Sequence, residues 1–224
     1  GKPSRYVFGL DRIKAIYEED LQKAKADFAA KNKVELHEVS DNDVDFKLER
    51  ICIATGGSDG LNLLALGEFP IWFNSETQVK SPQVIGMLYK YADEIINIPD
   101  IDSTGIDAGK DLALSYLDIK TAWIPEELYN RKNRNLKQLK DFTDFIKFKY
   151  NPDDRDYSKI LKEIHIFLDL ARPGRFWDEL KKYDKEGQFT GQIIYKINYN
   201  HSRQVPQPKL FSYLGGGFKI GFKY

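Results

Sequence analysis

Cysteine and histidine are scarce in this chain of 224 residues, with one cysteine and three histidines. A single cysteine excludes a disulfide-stabilised scaffold and is consistent with a reducing compartment. Cys52 stands in the apolar run 51–54, which predicts a core strand residue and not a reactive thiol. The histidines, His37, His165 and His201, are far apart in the sequence, and this scatter argues against a zinc site.

Long hydrophobic runs are also missing. No segment approaches the roughly 20 apolar residues that a membrane span requires, and no signal-peptide pattern opens the sequence. We therefore expect a cytoplasmic protein with no membrane partner. The length suits one domain over residues 1–224, and a hydrophobic content of 42% is ordinary for a folded chain.

The chain has no excess of charge, because 34 basic residues balance 34 acidic ones. This balance argues against an indiscriminate nucleic-acid binder, whose affinity comes from a strong positive field. A sequence-specific protein needs a basic surface in one cleft only. Segment 131–149 has such an excess, with seven basic residues against two aspartates. It is either a DNA-contacting surface that includes Arg131, Lys132 and Arg134, or a solvated helix face.

Hydrophobic periodicity predicts a mixed α/β fold, in which a central mixed sheet is flanked by helices. Helices are predicted over residues 10–32, 81–95, 156–170 and 176–183. Strands are predicted over residues 46–54, 112–120, 193–199 and 218–224. The glycine-rich segment 56–60 is interpreted as a loop, since it lacks the lysine and the helix pattern of a phosphate-binding P-loop.

The most informative motif is Asp118-Ile119-Lys120, at the end of the predicted strand 112–120. Alternate residues of a strand share a face, so Asp118 and Lys120 would emerge side by side. Two converging carboxylates can hold a hard divalent cation, and a lysine beside them can orient or deprotonate a water. This motif predicts a site for phosphodiester cleavage.

The carboxylate that would join Asp118 stays open between several upstream residues. A turn over 108–111 would place Asp100 or Asp102 opposite Asp118. Asp107 would then lie at the turn, unless a β-bulge re-aims its side chain towards the site.

Pro99-Asp100 followed by Asp118-Ile119-Lys120 resembles the PD-(D/E)xK nuclease superfamily, to which most type II restriction endonucleases belong. The resemblance extends over residues 76–121. It implies a restriction-endonuclease-like central sheet with a catalytic core over about 76–150. The catalytic residues that it implies are Asp118, Lys120, Asp107, Asp100 and Glu76. Of these, Asp118, Asp107 and Asp100 would bind Mg²⁺, whereas Glu76 is equally consistent with a solvated loop residue.

The resemblance also implies an activity and its partners. The activity is sequence-specific, Mg²⁺-dependent hydrolysis of double-stranded DNA that leaves 5′-phosphate ends. The partners are a second copy of the chain in a homodimer and a cognate DNA methyltransferase in the same host, which is not a physical partner. Two alternatives remain: a junction-resolving or repair nuclease of the same fold, and a non-enzymatic interaction or immunity module.

The strand-rich C-terminal part, over about 190–224, is the predicted DNA-contacting region. Its polar loop, 200–209, is rich in side chains that read bases, since asparagine and glutamine suit adenine and arginine suits guanine. The expected DNA contacts in this loop are His201, Arg203, Gln204 and Gln207. The alternative is an exposed polar connection between two strands.

Overall fold

A mixed sheet with helices on both faces organises the chain. The computed structural model describes residues 6–75, 78, 80–125, 128, 130–133, 135–149, 157–174, 177–183 and 189–197. Its strands are β1 (Val7–Phe8), β2 (Leu48–Ala54), β3 (Pro70–Phe73), β4 (Ala92–Ile98), β5 (Lys120–Thr121), β6 (Arg172–Pro173), β7 (Trp177–Tyr183) and β8 (Phe189–Ile197). Its α-helices are α1 (Leu10–Asn32), α2 (Gly57–Ala65), α3 (Pro82–Tyr91), α4 (Ser103–Ser115), α5 (Phe142–Lys149) and α6 (Tyr157–Asp169).

The main sheet has six strands in the order β1-β3-β2-β4-β5-β6. The four inner strands are parallel to one another, and β1 and β6 join the two edges in antiparallel pairs. Strands β7 and β8 form a separate antiparallel pair. This arrangement confirms the predicted fold class, a mixed α/β fold with a central mixed sheet flanked by helices.

Strand β2 shows why both faces of the sheet are covered. Ile51 and Ile53 belong to one apolar core, whereas Cys52 and Ala54 belong to the other. Side chains that alternate between two cores are typical of a parallel sheet buried on both sides. Helices α1, α3 and α4 contribute to the first core, and α2, α5 and α6 contribute to the second. Cys52 is fully buried, as predicted for a core strand residue.

The chain leaves β2 and β4 in opposite directions, although these two strands are neighbours. From β2 it passes through α2 to β3 on one side, and from β4 it passes through α4 to β5 on the other. Helices α2 and α4 pack on opposite faces, as right-handed crossovers require. In open α/β sheets, ligands bind in the crevice outside the carboxyl ends of the strands at such a switch point. The residues that follow β2 and β4 therefore form the first candidate site.

Several sequence predictions are confirmed. Helix α1 covers the predicted range 10–32, β2 lies within the strand predicted over 46–54, and α6 lies within the helix predicted over 156–170. Strand β8 overlaps the strand predicted over 193–199. Within the described ranges, no helix is long and apolar enough to cross a membrane.

The strand predicted over 112–120 is wrong, and so is the turn predicted over 108–111. Residues up to Ser115 belong to α4, because the buried residues Gly105, Gly109, Leu112 and Ala113 recur at helical spacing. Of the predicted strand, Lys120 alone lies in β5 and pairs with β4. Glycine is needed inside α4 at position 109, because a Cβ there would lie 2.8 Å from the Trp123 ring.

Three further predictions differ from the structure. The helix predicted over 81–95 ends at Tyr91, and the next residues pair with β2 as β4. The segment predicted as a helix over 176–183 is strand β7. The glycine segment 56–60 is not a loop but the start of α2. The strand predicted over 218–224 and the loop over 200–209 lie outside the described residues.

Gly60 of α2 lies against the indole ring of Trp72. A Cβ at position 60 would stand 2.5 Å from this ring, whereas a Cβ at position 57 would stand 3.8 Å from it, at ordinary contact distance. We therefore expect Gly60→Ala to lower the free energy of unfolding by about 1–3 kcal/mol, the usual cost of overpacking. Chemical denaturation checks the value, with Gly57→Ala as the matched control. Equal stability of the two variants would contradict the packing argument.

Candidate functional site

Five aspartates converge at the carboxyl ends of β2 and β4, and we call them the acidic cluster. They are Asp59, Asp100, Asp102, Asp141 and Asp144. The first lies in the opening turn of α2, and the next two lie between β4 and α4. The last two lie just before α5 and in its first turn. Each residue follows a strand or opens a helix, and the topology brings these segments to the same edge of the sheet.

Asp59 joins the start of α2 to the start of α5. Its Oδ1 accepts hydrogen bonds from the backbone N–H of Thr143 at 2.9 Å and from the Thr143 hydroxyl at 2.6 Å. Its Oδ2 accepts from the Thr55 hydroxyl at 2.5 Å. Asn62 in turn donates to the Thr143 hydroxyl oxygen at 2.9 Å. These bonds fix the Asp59 carboxylate in one orientation.

Lys140 lies between Asp100 and Asp102. Its ammonium is 3.1 Å from Asp100 Oδ2 and 2.5 Å from Asp102 Oδ2. Asp102 also caps α4, since its Oδ1 accepts from the backbone N–H of Gly105 at 2.9 Å. Burial tends to raise the Asp102 pKa, but the Lys140 ammonium and the Gly105 N–H have the larger effect and hold that pKa below its usual value.

Asp100 is the most buried member of this lysine-bound pair, with 7% of its surface exposed. Its Oδ1 is buried and has no hydrogen-bond partner among the described residues. Burial raises the Asp100 pKa, and the Lys140 ammonium and the Thr55 hydroxyl nearby only partly oppose this effect. An unpaired buried oxygen is rare and costly, so Asp100 Oδ1 is a candidate atom for ligand binding.

Asp141 and Asp144 bind the backbone at the start of α5. Asp141 Oδ1 accepts from the N–H of Asp144 at 2.7 Å, and Asp144 Oδ2 accepts from the N–H of Lys140 at 3.0 Å. Burial is the main cause that raises the pKa of Asp141 to about 6. The hydrogen bond from the Asp144 N–H lowers this pKa in part, and the negative charge of Asp59 raises it further. Both residues thus have a capping role as well as a place in the cluster.

The raised pKa of Asp141 predicts a pH-dependent stability. The folded state binds this proton more tightly than the unfolded state, whose value is near 3.8. Asp141 therefore contributes its full stabilisation at pH values below the pKa of the unfolded state. This stabilisation is lost as the pH rises through the pKa of the folded state. We expect the loss of this stabilisation to lower the free energy of unfolding by roughly 1 kcal/mol between about pH 4 and 6. This value allows for screening of the half-buried carboxyl by solvent.

Denaturation at a series of pH values, in the wild type and in Asp141→Asn, checks this component. The variant has no titrating group at this position, so its stability should fall less over the same pH range. A curve parallel to the wild type would contradict the assignment to Asp141.

The donor chemistry of the acidic cluster fits a hard divalent cation, which prefers carboxylate oxygens. As folded here, the place between Asp100 and Asp102 is taken by the Lys140 ammonium. Among the described residues, no three carboxylate, imidazole or thiol groups are arranged to hold a metal ion together. The cluster therefore has the right ligands for a cation and requires the ammonium to move before they can surround one.

The structure does not bring Asp118 and Lys120 to the acidic cluster. Asp118 is exposed and lies before the amino end of β5, which runs parallel to β4 with Lys120 paired to Ile96. Asp118 is therefore nearly level with Glu94, and at 3.3 Å per residue it lies roughly 20 Å along the strand direction from Asp100. The Lys120 ammonium forms an ion pair with Glu94.

The other predicted site residues are dispersed. Asp100 lies in the acidic cluster, whereas Asp107 is exposed on α4, where it lines a groove with Lys80 and Tyr116. The remaining predicted site residues that lie outside the described residues are Glu76, Arg134, His201, Arg203, Gln204 and Gln207.

Sequence reasoning missed Asp59, Lys140, Asp141 and Asp144 as site residues. Asp59 stands in the glycine segment that the sequence predicts as a loop, and Asp141 and Asp144 enter the sequence prediction only as acidic residues within a basic segment. The position of an aspartate in the sequence could have indicated the site. Carboxylates that directly follow a buried strand tend to meet at the carboxyl edge of a parallel sheet.

Residues 131–139 form a short hairpin that leads into Lys140, and we call it the basic hairpin. Lys132 and Gln138 form an antiparallel bridge, and the N–H of Leu139 donates to the Arg131 carbonyl at 3.0 Å. Asn133 Oδ1 accepts from two backbone N–H groups of the turn. The described basic side chains of the hairpin, Arg131, Lys132 and Lys137, are exposed. The hairpin thus places positive charge on the segment that leads into Lys140.

No family model and no curated protein matches the chain. Among solved structures, it is similar to a DnaG catalytic core, with a TM-score of 0.41, 14% identity, and coverage of 58% of this chain and 37% of that one. It is also similar to a DnaG primase catalytic domain bound to single-stranded DNA, with a TM-score of 0.36, 14% identity, and coverage of 57% and 35%. For the E. coli primase catalytic core the TM-score is 0.36, at 14% identity and coverage of 57% and 36%.

The chain spans less than half the length of each of these neighbours. They are primase catalytic cores and not restriction endonucleases. The resemblance to the PD-(D/E)xK superfamily is wrong, because it requires a strand over 112–120 that the structure does not have. The fold agrees with this correction, because α4 occupies the place of the expected catalytic strand. Sequence-specific DNA cleavage, the homodimer and the methyltransferase were implied by that resemblance and lose their basis with it.

Proposed function

We propose that this chain is a divalent-cation-dependent enzyme that transfers a nucleotidyl group on a nucleic-acid substrate. The observation that carries the proposal is Asp100 in the acidic cluster, a buried carboxylate with one oxygen that has no partner in the described part of the chain. The cluster lies at the topological switch point, which is where open α/β sheets bind their ligands.

The proposed cation ligands are Asp100 and Asp102, supported by Asp59 and Asp141. A bound divalent cation supplies positive charge to the phosphate oxygens of the transferred group, which lowers the barrier to transfer. Hydrogen bonds from Thr143 and Thr55 hold Asp59 rigidly, and the cap on α4 does the same for Asp102. This rigidity is useful, because phosphoryl transfer depends mainly on positioning and electrostatics.

The basic hairpin supports a polynucleotide as the substrate. Its exposed lysines, Lys132 and Lys137, lie close in sequence to Lys140 at the acidic cluster. Positive side chains beside a site of this kind can hold the phosphate backbone and fix its position. The acidic cluster needs such neighbours, since its own charge repels a polyanion.

A templated extension assay tests the proposed function. The full chain is incubated with single-stranded DNA, labelled nucleoside triphosphates and either Mg²⁺ or Mn²⁺. We expect labelled products in which an acceptor hydroxyl has replaced the pyrophosphate of the triphosphate, and we expect a chelator to abolish them. Asp118→Asn is the control that should retain activity. Binding of DNA without any cation-dependent product would contradict the proposal and favour a non-enzymatic binding module.

The contribution of the basic hairpin predicts a salt-dependent loss of binding. Lys132→Ala combined with Lys137→Ala should weaken single-stranded DNA binding and reduce the slope of log K against log salt by about 1–2, roughly one for each lost phosphate contact. Fluorescence anisotropy at several salt concentrations measures both quantities. The matched control, Lys14→Ala combined with Lys31→Ala on α1, removes the same charge and should leave the slope unchanged. Equal slopes for the two variants would exclude the hairpin as a contact surface.

A further inference from the structure

The ammonium of Lys140 stands where a cation shared by Asp100 and Asp102 would stand. It is 3.1 Å from one carboxylate and 2.5 Å from the other. Two carboxylates separated by one residue on the same turn repel each other, and the ammonium offsets this repulsion. It leaves the buried Asp100 Oδ1 without a partner among the described residues, so it satisfies the pair only in part.

The backbone of Lys140 is held by bonds that do not involve its side chain. Its carbonyl accepts from the N–H of Ile101 at 2.9 Å, and its own N–H donates to Asp144 at 3.0 Å. The side chain is 42% exposed, so its ammonium can move into solvent without any change in these backbone bonds. Its four-carbon stem keeps the released charge close to the cluster.

A divalent cation has two advantages over this ammonium. It carries twice the charge, and it accepts six or more oxygen ligands where the ammonium offers three hydrogens. It can therefore engage Asp100 Oδ1 together with the oxygens that the lysine already binds. The two cations compete for one position, and exchange requires only that a half-exposed side chain rotate.

We propose that Lys140 is a tethered counter-ion that holds Asp100 and Asp102 until a divalent cation displaces it, and that the released ammonium then binds a phosphate of the substrate. This inference rests on the proposed function, since it describes how the same site is regulated. The lysine lowers the affinity of the empty site for metal and becomes a phosphate ligand only when the metal is in place. Lys140 thus couples the two binding events.

The first test measures Mn²⁺ affinity by calorimetry. Removal of the competing ammonium in Lys140→Gln should tighten Mn²⁺ binding about tenfold, a change equivalent to the loss of one or two partly exposed ion pairs. Lys137→Gln removes the same charge from the basic hairpin and should leave the affinity within about twofold of the wild type, since exposed charges are well screened. Lys140→Arg keeps a cation in place and should not tighten binding. Thermal unfolding of each variant confirms that it is folded.

The second test follows the lysine itself. In the wild type, acetylation of Lys140 by a water-soluble ester, quantified by mass spectrometry, should rise severalfold on addition of Mn²⁺ because the amine leaves its carboxylates. Acetylation of Lys137 serves as the internal reference and should not change. A purely structural lysine would show no such dependence on the metal. Addition of a triphosphate together with Mn²⁺ should protect Lys140 again.

The outcomes separate this inference from the proposed function. Equal Mn²⁺ affinity in the wild type and Lys140→Gln overturns the competition and leaves the cation site intact. Binding by Lys140→Gln alone shows that the wild-type lysine is not displaced, which overturns the exchange. The absence of Mn²⁺ binding in both proteins overturns the inference and the proposed function together. Tighter binding by the variant, with metal-dependent acetylation of the wild type, supports the exchange.

Discussion

Asp100→Asn is expected to weaken Mn²⁺ binding by at least about a hundredfold. Loss of a residue that only orients a metal ligand weakens binding by about 10- to 100-fold, and loss of a ligand itself should weaken it at least as much. The substitution keeps the shape of the side chain but removes the charge. It also replaces one of the two carboxylate oxygens by an amide nitrogen, which cannot bind a hard cation. The nucleotidyl transfer that we propose should fall by a similar factor or more. Calorimetry and the extension assay measure the two quantities.

Asp107→Asn is the matched control for this prediction. Asp107 lies only seven residues away on the same segment, and it is exposed on α4 outside the acidic cluster. Both variants lose one negative charge, so the comparison separates direct ligation from a general electrostatic effect. Equal losses in the two variants, or unchanged binding in Asp100→Asn, would show that Asp100 is not a cation ligand.

The second large effect concerns stability and the buried ion pair of Arg50 with Glu68. Arg50 Nε is 2.9 Å from Glu68 Oε2, and both side chains are less than 10% exposed. The Arg50 guanidinium also binds Asp169 at 2.7 Å, which joins β2 to the end of α6. Burial acts downward on the Arg50 pKa, but the bonds to Asp169 and Glu68 outweigh it and keep the guanidinium charged.

Glu68→Gln is expected to lower the free energy of unfolding by about 3 kcal/mol, the lower end of the cost of breaking a buried ion pair, because Arg50 keeps its bond to Asp169 but loses the buried one of its two carboxylate partners. The double variant Arg50→Met with Glu68→Leu removes both charges and should recover most of this loss. Asp93→Asn, which removes one partner of the surface pair with Lys47 at 3.9 Å, should change stability by less than about 0.5 kcal/mol. Urea denaturation measures all three. A Glu68→Gln variant as stable as Asp93→Asn would refute the network.

The elements that could be predicted from the sequence are those with unambiguous periodicity. Helix α1 was predicted over its full length because Ile13, Leu21 and other buried residues recur at helical spacing. The segment over 112–120 was predicted as a strand because Leu112, Leu114 and Leu117 form an apolar run. In the structure Leu114 is 40% and Leu117 is 51% exposed, so two of these leucines do not face a core. A short apolar run does not by itself distinguish helix from strand.

The candidate site could be predicted only in part, because its residues come from three distant segments. Asp100 is predicted as a site residue because a turn over 108–111 would place it opposite Asp118 and because Pro99-Asp100 fits the nuclease motif, and both reasons are wrong. The contact between Lys140 and Asp102 joins residues 38 positions apart, and the bond between Thr143 and Asp59 joins residues 84 positions apart. These meetings depend on the strand order of the sheet, which hydrophobic periodicity does not specify. The order in turn decides that Asp118 lies at the opposite end of the strands from Asp100.

The most direct measurement for the proposed cation site is anomalous diffraction from crystals of the full chain soaked in Mn²⁺. The acidic cluster should then show an anomalous peak within about 2.6 Å of carboxylate oxygens of Asp100 and Asp102, with the Lys140 ammonium displaced from between them. A cluster without a peak at saturating Mn²⁺, with Lys140 still bound to both aspartates, would contradict the account. So would a peak at Asp118 and Lys120 with none at Asp100.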